Sequence, residues 1–250
     1  MMLSSLLGTS TELDSVKRLI IERTEGNPFF IEEMVQALFD ERVLARNGAI
    51  KVTRSIDELR LPPTVQGVLA ARIDRLSPQQ KELLQTLAVI GRVSPLAIIS
   101  QVGSSADSHL PRVIADLQAG EFIYEQPTAS GAEYVFKHAL TQEVAYDSML
   151  IERRKAIYER AAQAIELIYE QRLQDHYGQL AYHYRRTGNS QKAVNYLRLA
   201  GQQAADRSAN AEAVTYLTDA LNLLQSLPET SERRRQELEL QIARGYRSAC

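Results

Sequence analysis

Apolar residues recur at steps of three and four along most of the chain, which is the spacing of an amphipathic α-helix. Glycine and proline, which interrupt helices, number only 12 and 8 among 250 residues. Long stretches are rich in alanine, leucine, glutamate, arginine and glutamine, which are strong helix formers. We therefore predict a mainly α-helical protein in which the few glycines and prolines mark helix ends. A chain of this length corresponds to about two domains.

The charge balance and the single cysteine exclude several classes of protein. Lysine and arginine total 29 against 31 for aspartate and glutamate, so the net charge of -2 disfavours a nucleic-acid partner. Cys250 has no second cysteine for a disulfide or a zinc cluster, so we expect a reducing, cytoplasmic compartment. The first residues lack the pattern of a signal peptide, and no apolar run approaches the roughly 18 residues of a membrane-spanning helix. We expect no membrane partner.

The triplet Gly26-Asn27-Pro28 interrupts the first helical stretch. It separates a helix from about Leu13 to Thr24 from a second helix that starts at Phe29. Asparagine is a good helix cap and proline suits the first helical turn, so local capping alone explains the triplet. Residues 77–80 (Ser-Pro-Gln-Gln) have the spacing of a capping box and predict another helix, which runs to about residue 90.

A change of period between residues 106 and 137 predicts a β-hairpin. After a helix that ends near Gln118, polar and apolar residues alternate over 121–125 and again over 133–137, with turn residues at 127–131 between them. Three short helices followed by such a two-stranded wing form a winged helix. Residues 106–137 carry two basic and five acidic side chains, which would repel phosphates. We therefore predict a winged helix that packs against protein.

The C-terminal part of the sequence has the spacing of stacked helix pairs. The helical period continues from His138 almost unbroken to Tyr169, and residues 177–200 match one tetratricopeptide repeat. A second small-residue pattern starts at Ala213, 20 residues after Ala193 instead of about 34, which predicts an irregular tandem. Because the array has no polar closing helix, we expect self-association.

No catalytic or metal-binding motif is found in the sequence. A phosphate-binding P-loop requires a Gly-Lys pair, and none occurs, so we predict no catalytic residues and no ATP hydrolysis by this chain. The four histidines lack metal-ligand spacing, and we interpret them as packing and capping residues. The pair Glu32-Glu33 is interpreted as a solvated helix face.

Three segments resemble the STAND-class signalling ATPases, multidomain relatives of AAA proteins that are often fused to adenylate or guanylate cyclase domains. Residues 22–33, around Gly26-Asn27-Pro28, resemble the Gly-x-Pro segment of the lid. Residues 61–76 resemble the entry to the winged helix, and residues 136–146, around His138, resemble the segment that leaves the wing. The resemblance covers nearly the whole chain.

The resemblance implies a nucleotide-gated switch. It divides the chain into a helical lid (1–60), a winged helix (61–150) and a tetratricopeptide-like helical solenoid (151–250). The partner would be a P-loop ATPase domain that binds ATP or ADP, while a protein partner or inducer would bind the repeats; no cofactor is expected on the chain alone. Gly26, Asn27, Pro28 and His138 would bind the cofactor, with Pro28 packed near the adenine and His138 reaching the β-phosphate of ADP. The chain departs from the family because it lacks the P-loop and has Ala139 where an acid is expected.

Two functions therefore remain open. The chain is either the regulatory C-terminal portion of a STAND-type ATPase or a freestanding helical-repeat adaptor that binds a partner protein without nucleotide. For His138 the alternative is an exposed residue in the first turn of a helix.

Overall fold

Helices make up most of the described chain, which confirms the predicted mainly α-helical class. The computed structural model describes residues 2–8, 10–47, 49–53, 62–103, 109–129 and 131–248. Cys250 lies outside these ranges. The predicted end of the lid near residue 60 and the predicted helix start at residue 106 also lie outside them.

The first unit, residues 2–53, has its own apolar core, and we call it the N-terminal unit. Its elements are α1 (Met2–Leu7), a 3-10 turn (Thr11–Leu13), α2 (Asp14–Thr24), α3 (Pro28–Asp40), β1 (Leu44–Asn47) and β2 (Ala49–Val52). The helices meet through buried Leu13, Val16, Ile20, Met34 and Leu38. The antiparallel β1–β2 hairpin was not predicted, because strands of four residues are too short for a clear alternating pattern.

Residues 62–136 form a winged helix. Its elements are α4 (Val65–Asp74), α5 (Pro78–Ile90), β3 (Val93–Pro95), α6 (Leu96–Val102), α7 (Leu110–Ala119), β4 (Ile123–Thr128) and β5 (Gly131–Phe136). The capping box at residues 77–80 is present, and the predicted hairpin is the β4–β5 pair. β3 adds an unpredicted third strand, which lies beside β5 in the antiparallel order β3-β5-β4.

The remaining helices continue from the wing into a stack of helix pairs. They are α8 (Ala139–Asp147), α9 (Ile151–Ile168), a 3-10 segment (Glu170–His176), α10 (Tyr177–Tyr184), α11 (Ser190–Asp206), α12 (Asn210–Gln225) and α13 (Ser231–Ser248). The predicted long helix is broken at Leu150, whose extended backbone separates α8 from α9. α12 begins 33 residues after α10, close to one repeat period. α13 begins 41 residues after α11, so the tandem is irregular as predicted. The 20-residue spacing does not measure this irregularity, because Ala193 lies on the second helix of one pair and Ala213 on the first helix of the next.

The winged helix and the stacked helices share one apolar core. That core runs from Ile73 on α4 through α9 to Leu240 on α13, whereas the core of the N-terminal unit is a second cluster that also takes in Val68 of α4. Where α11 crosses α12, Gly201 faces Leu217, and a Cβ at residue 201 would lie 2.9 Å from the Leu217 Cγ. Within the ranges that the structure describes, no helix has the length and apolar character needed to cross a membrane.

Candidate functional site

The triplet singled out in the sequence forms the tight connection between α2 and α3. Gly26 has a φ of 78°, a left-handed conformation that glycine adopts without strain. Asn27 caps α3, with its Oδ1 accepting the Phe30 N–H at 3.2 Å, and Pro28 is in the first helical turn. The triplet therefore sets the position of the α3 N-terminus, where unpaired backbone N–H groups favour an anion.

His138 lies beside this connection. It is two residues beyond the end of β5, and its backbone carbonyl accepts the Thr141 N–H at 3.1 Å at the start of α8. The imidazole packs on Phe29, with ring centroids 4.2 Å apart, and Phe29 is the residue after Pro28. The structure thus brings the two predicted segments together, and the N-termini of α3 and α8 meet at the same place.

The charges around His138 are nearly balanced. Its Nε2 lies 3.6 Å from Glu32 Oε2, and the neighbouring Lys137 Nζ lies 3.9 Å from the same oxygen and 2.8 Å from Glu121 Oε2. Two potential cations and two helix N-termini therefore face two carboxylates. An anion with more charge than a carboxylate, such as phosphate, could replace Glu32 as the partner of Lys137 and His138.

A buried arginine joins the N-terminal unit to the winged helix. Arg72 on α4 is 3% exposed and donates from Nη1 to Glu33, from Nε to Asp40 at 2.9 Å and from Nη2 to the Gly120 carbonyl at 2.7 Å. Its guanidinium also lies 4.7 Å from the centroid of the Phe122 ring. We call these five residues the Arg72 network. It fixes the N-terminal unit on the winged helix close to the Phe29–His138 contact.

The interpretation of Glu32-Glu33 as a solvated face is wrong for Glu33, which is only 4% exposed. Its burial raises the pKa of the Glu33 carboxyl, against the opposing charge of Arg72. The burial of Glu33 could have been predicted from the sequence. Glu33 is three residues after buried Phe30 and four before buried Ala37, so it lies on the apolar stripe of α3.

The histidines of the repeat region pack as predicted. His176 stacks on Tyr169 with ring centroids 3.9 Å apart, and His183 is fully buried beside Tyr158 and Tyr182. Across the described ranges, no group of histidine, cysteine, aspartate and glutamate side chains is arranged to hold a metal ion.

Comparisons with known proteins find a distant relative. No family model matches the chain. The chain is 25% identical over 214 residues to an uncharacterized protein of Rhizobium meliloti (strain 1021). The match covers 84% of this chain and 20% of that protein, so the chain spans about a fifth of the length of this relative.

Proposed function

We propose that this chain is the regulatory portion of a STAND-type signalling ATPase. In this proposal the N-terminal unit is the lid, which closes with the winged helix over ATP or ADP held by a P-loop domain outside this chain. The observation that carries the proposal is the Phe29–His138 contact, because it places His138 and the Gly26-Asn27-Pro28 turn at one site. Two segments expected to touch the same nucleotide would have to lie this close together.

Each residue of the site has a stated role in the proposal. Gly26, Asn27 and Pro28 shape the turn that lies against the adenine, while His138 donates a hydrogen bond to the β-phosphate. The N-termini of α3 and α8 add favourable dipoles for an anion. A charge-assisted hydrogen bond of this kind contributes roughly 1.5–3 kcal/mol and would form only in the closed state. Without nucleotide, Glu32 takes the place of the phosphate beside His138.

The Arg72 network would hold the lid in register with the winged helix. A buried ion pair specifies one arrangement of two surfaces, and both of its halves are readily solvated when the surfaces separate. The Arg72 network therefore suits the boundary between the lid and the winged helix, which in this proposal is closed in one state of the switch and open in the other.

The proposal also covers activity, location and partners. We expect no magnesium-dependent ATP hydrolysis by the chain alone, since its sequence lacks a P-loop. The single cysteine supports a cytoplasmic location. The repeats would bind the inducer. We also expect self-association, because Leu238 and Ile242 on α13 are exposed apolar side chains. Light scattering over a range of concentrations would test this expectation.

The site can be tested by NMR of the histidine side chains of this chain after fusion to a P-loop ATPase domain that binds ADP. We expect millimolar ADP to shift the imidazole signals of His138 and to leave those of His176 and His183 in place. His109 is an internal control, because it also precedes a helix, α7, and would shift if ADP bound helix N-termini without specificity. Equal shifts at His109 and His138, or none at His138, would contradict the proposal and favour the adaptor function.

A further inference from the structure

A groove of about 530 Å³ lies between α10 and α12, away from the site described above. Its lining includes Gly178, Tyr182, Arg185, Arg186, Leu197 and Tyr216. Gly178 makes room for the Tyr216 side chain, because a Cβ at residue 178 would lie 2.8 Å from the Tyr216 hydroxyl oxygen. The groove therefore presents two tyrosines on α10 and α12 and two arginines in the turn that follows α10.

Arg186 is held in place without a charged partner. Its guanidinium lies 3.7 Å from the centroid of the Tyr182 ring, and its Nη1 donates to the Tyr182 carbonyl at 2.9 Å. Of the carboxylates in the described ranges, none comes within 4.0 Å of Arg186, whereas Arg185 is paired with Asp219. A stacked guanidinium loses little freedom on binding, and its remaining N–H groups match the two oxygens of a carboxylate.

The surroundings of Arg186 leave its charge uncompensated. His183 lies beneath it, and burial, followed by the charge of Arg186, lowers the pKa of His183 to about 4. His183 is therefore neutral near pH 7. Tyr182 is 45% exposed beside Arg186, so the groove offers an apolar ring next to a free positive charge. Tyrosine and arginine are the residue types that contribute most to protein interfaces.

We propose that this groove binds an acidic segment of a partner protein, with a carboxylate on Arg186 and an apolar side chain against Tyr182. A peptide fits better than a nucleic acid because α12 places Asp219 and Glu212 beside the groove. A nucleic acid carries a phosphate on every unit and would meet both acids, whereas a peptide can place a single carboxylate at Arg186. The inference names the class of partner for the repeats, which the proposed function leaves open, and it does not depend on nucleotide binding.

The test uses fluorescence anisotropy of a labelled dodecapeptide that carries one aspartate beside one leucine among serine and glycine residues. We expect it to bind the chain, and a matched peptide with asparagine in place of the aspartate to bind about tenfold more weakly. Arg186→Gln should weaken binding of the acidic peptide by about tenfold, and Tyr182→Ala should weaken it by a similar factor. Arg198→Gln is the matched control, because Arg198 is also exposed and lies on α11, outside the lining of this groove.

Three results would overturn the proposal. The first is an equal loss of affinity in Arg186→Gln and Arg198→Gln, which would indicate attraction to charge in general. The second is tighter binding of oligothymidylate than of the acidic peptide, with the same dependence on Arg186, which would indicate a nucleic-acid surface. The third is no binding of the acidic peptide at millimolar concentration. None of these experiments contains nucleotide, so their outcome is independent of the ADP experiment.

Discussion

The N-terminal unit and the repeat helices are attached to the winged helix in opposite ways. The N-terminal unit has an apolar core that, among the described residues, takes in only Val65 and Val68 of the winged helix, and it is also held by the charged Arg72 network. The repeats share a continuous apolar core with the winged helix through α9. Charged surfaces can separate and become hydrated, whereas separating an apolar core exposes its whole area to water. The movable boundary of the molecule is therefore expected at the Arg72 network and not at α9.

Arg72→Met gives the largest expected effect. Removing one partner of a buried ion pair leaves Glu33 buried without its partner, which costs about 3–5 kcal/mol. Because most of the core of the N-terminal unit lies within residues 2–53, the loss should be local. Hydrogen exchange should show reduced protection in α2 and α3 and unchanged protection in α10 to α12.

Arg75→Met is the matched control for that variant. Arg75 pairs with Glu41 across the same boundary, but its side chain is 42% exposed. An exposed pair contributes about 0–1 kcal/mol, so protection in α2 and α3 should hardly change. Equal effects of the two substitutions would show that burial of the Arg72 network is unimportant.

Gly201→Val tests the apolar core that the repeats share with the winged helix. The new side chain would meet Leu217 at the crossing of α11 and α12, where the space fits only a hydrogen atom. Overpacking of this kind costs up to about 3 kcal/mol. The unfolding transition of the repeats and the winged helix should shift as one, since they share a core. Gln202→Val places the same side chain on the exposed neighbour and should cost much less.

His183 gives the repeat region a dependence on acid. Its pKa of about 4 in the folded chain is below the 6.5 of a free histidine, so the unfolded state takes up the proton first as pH falls. The free energy of unfolding should drop by about 2 kcal/mol between pH 7 and pH 5 from this group. In urea denaturation at the two pH values, His183→Phe should lose that part of the drop. The same drop in both proteins would show that His183 takes up its proton equally in the folded and unfolded states.

His138→Ala has the smallest expected effect on stability. The His138 side chain is 27% exposed, and its main contact is the Phe29 ring. We expect a loss of less than about 1 kcal/mol in the free energy of unfolding. A larger loss in thermal or urea unfolding would make His138 a packing residue.

Local signals made much of the fold predictable. The Asn27 cap, the capping box at residues 77–80 and the alternation in β4 and β5 each depend on residues close in sequence, and each is present. The Arg72 network was not predictable in the same way, because Arg72 and Glu33 are 39 residues apart. A charged residue on an apolar stripe indicates burial but does not identify its partner.

The candidate site shows the same limit. Capping chemistry predicted the shape of the Gly26-Asn27-Pro28 turn, but nothing local connects that turn with His138. Only the resemblance to STAND-class ATPases linked the two segments, through a nucleotide that both would contact. The contact of Phe29 with His138 is a tertiary feature, which depends on how the N-terminal unit packs against the winged helix.

The rate of ADP release from a fusion of a P-loop ATPase domain to this chain tests the central proposal most directly. If His138 donates to the β-phosphate in the closed state, His138→Ala should release a fluorescent ADP analogue at least about tenfold faster than the unsubstituted fusion. His109→Ala, which removes an exposed histidine at the start of α7, should leave the rate unchanged. Equal release rates for His138→Ala and the unsubstituted fusion would contradict the proposal that this site closes over nucleotide.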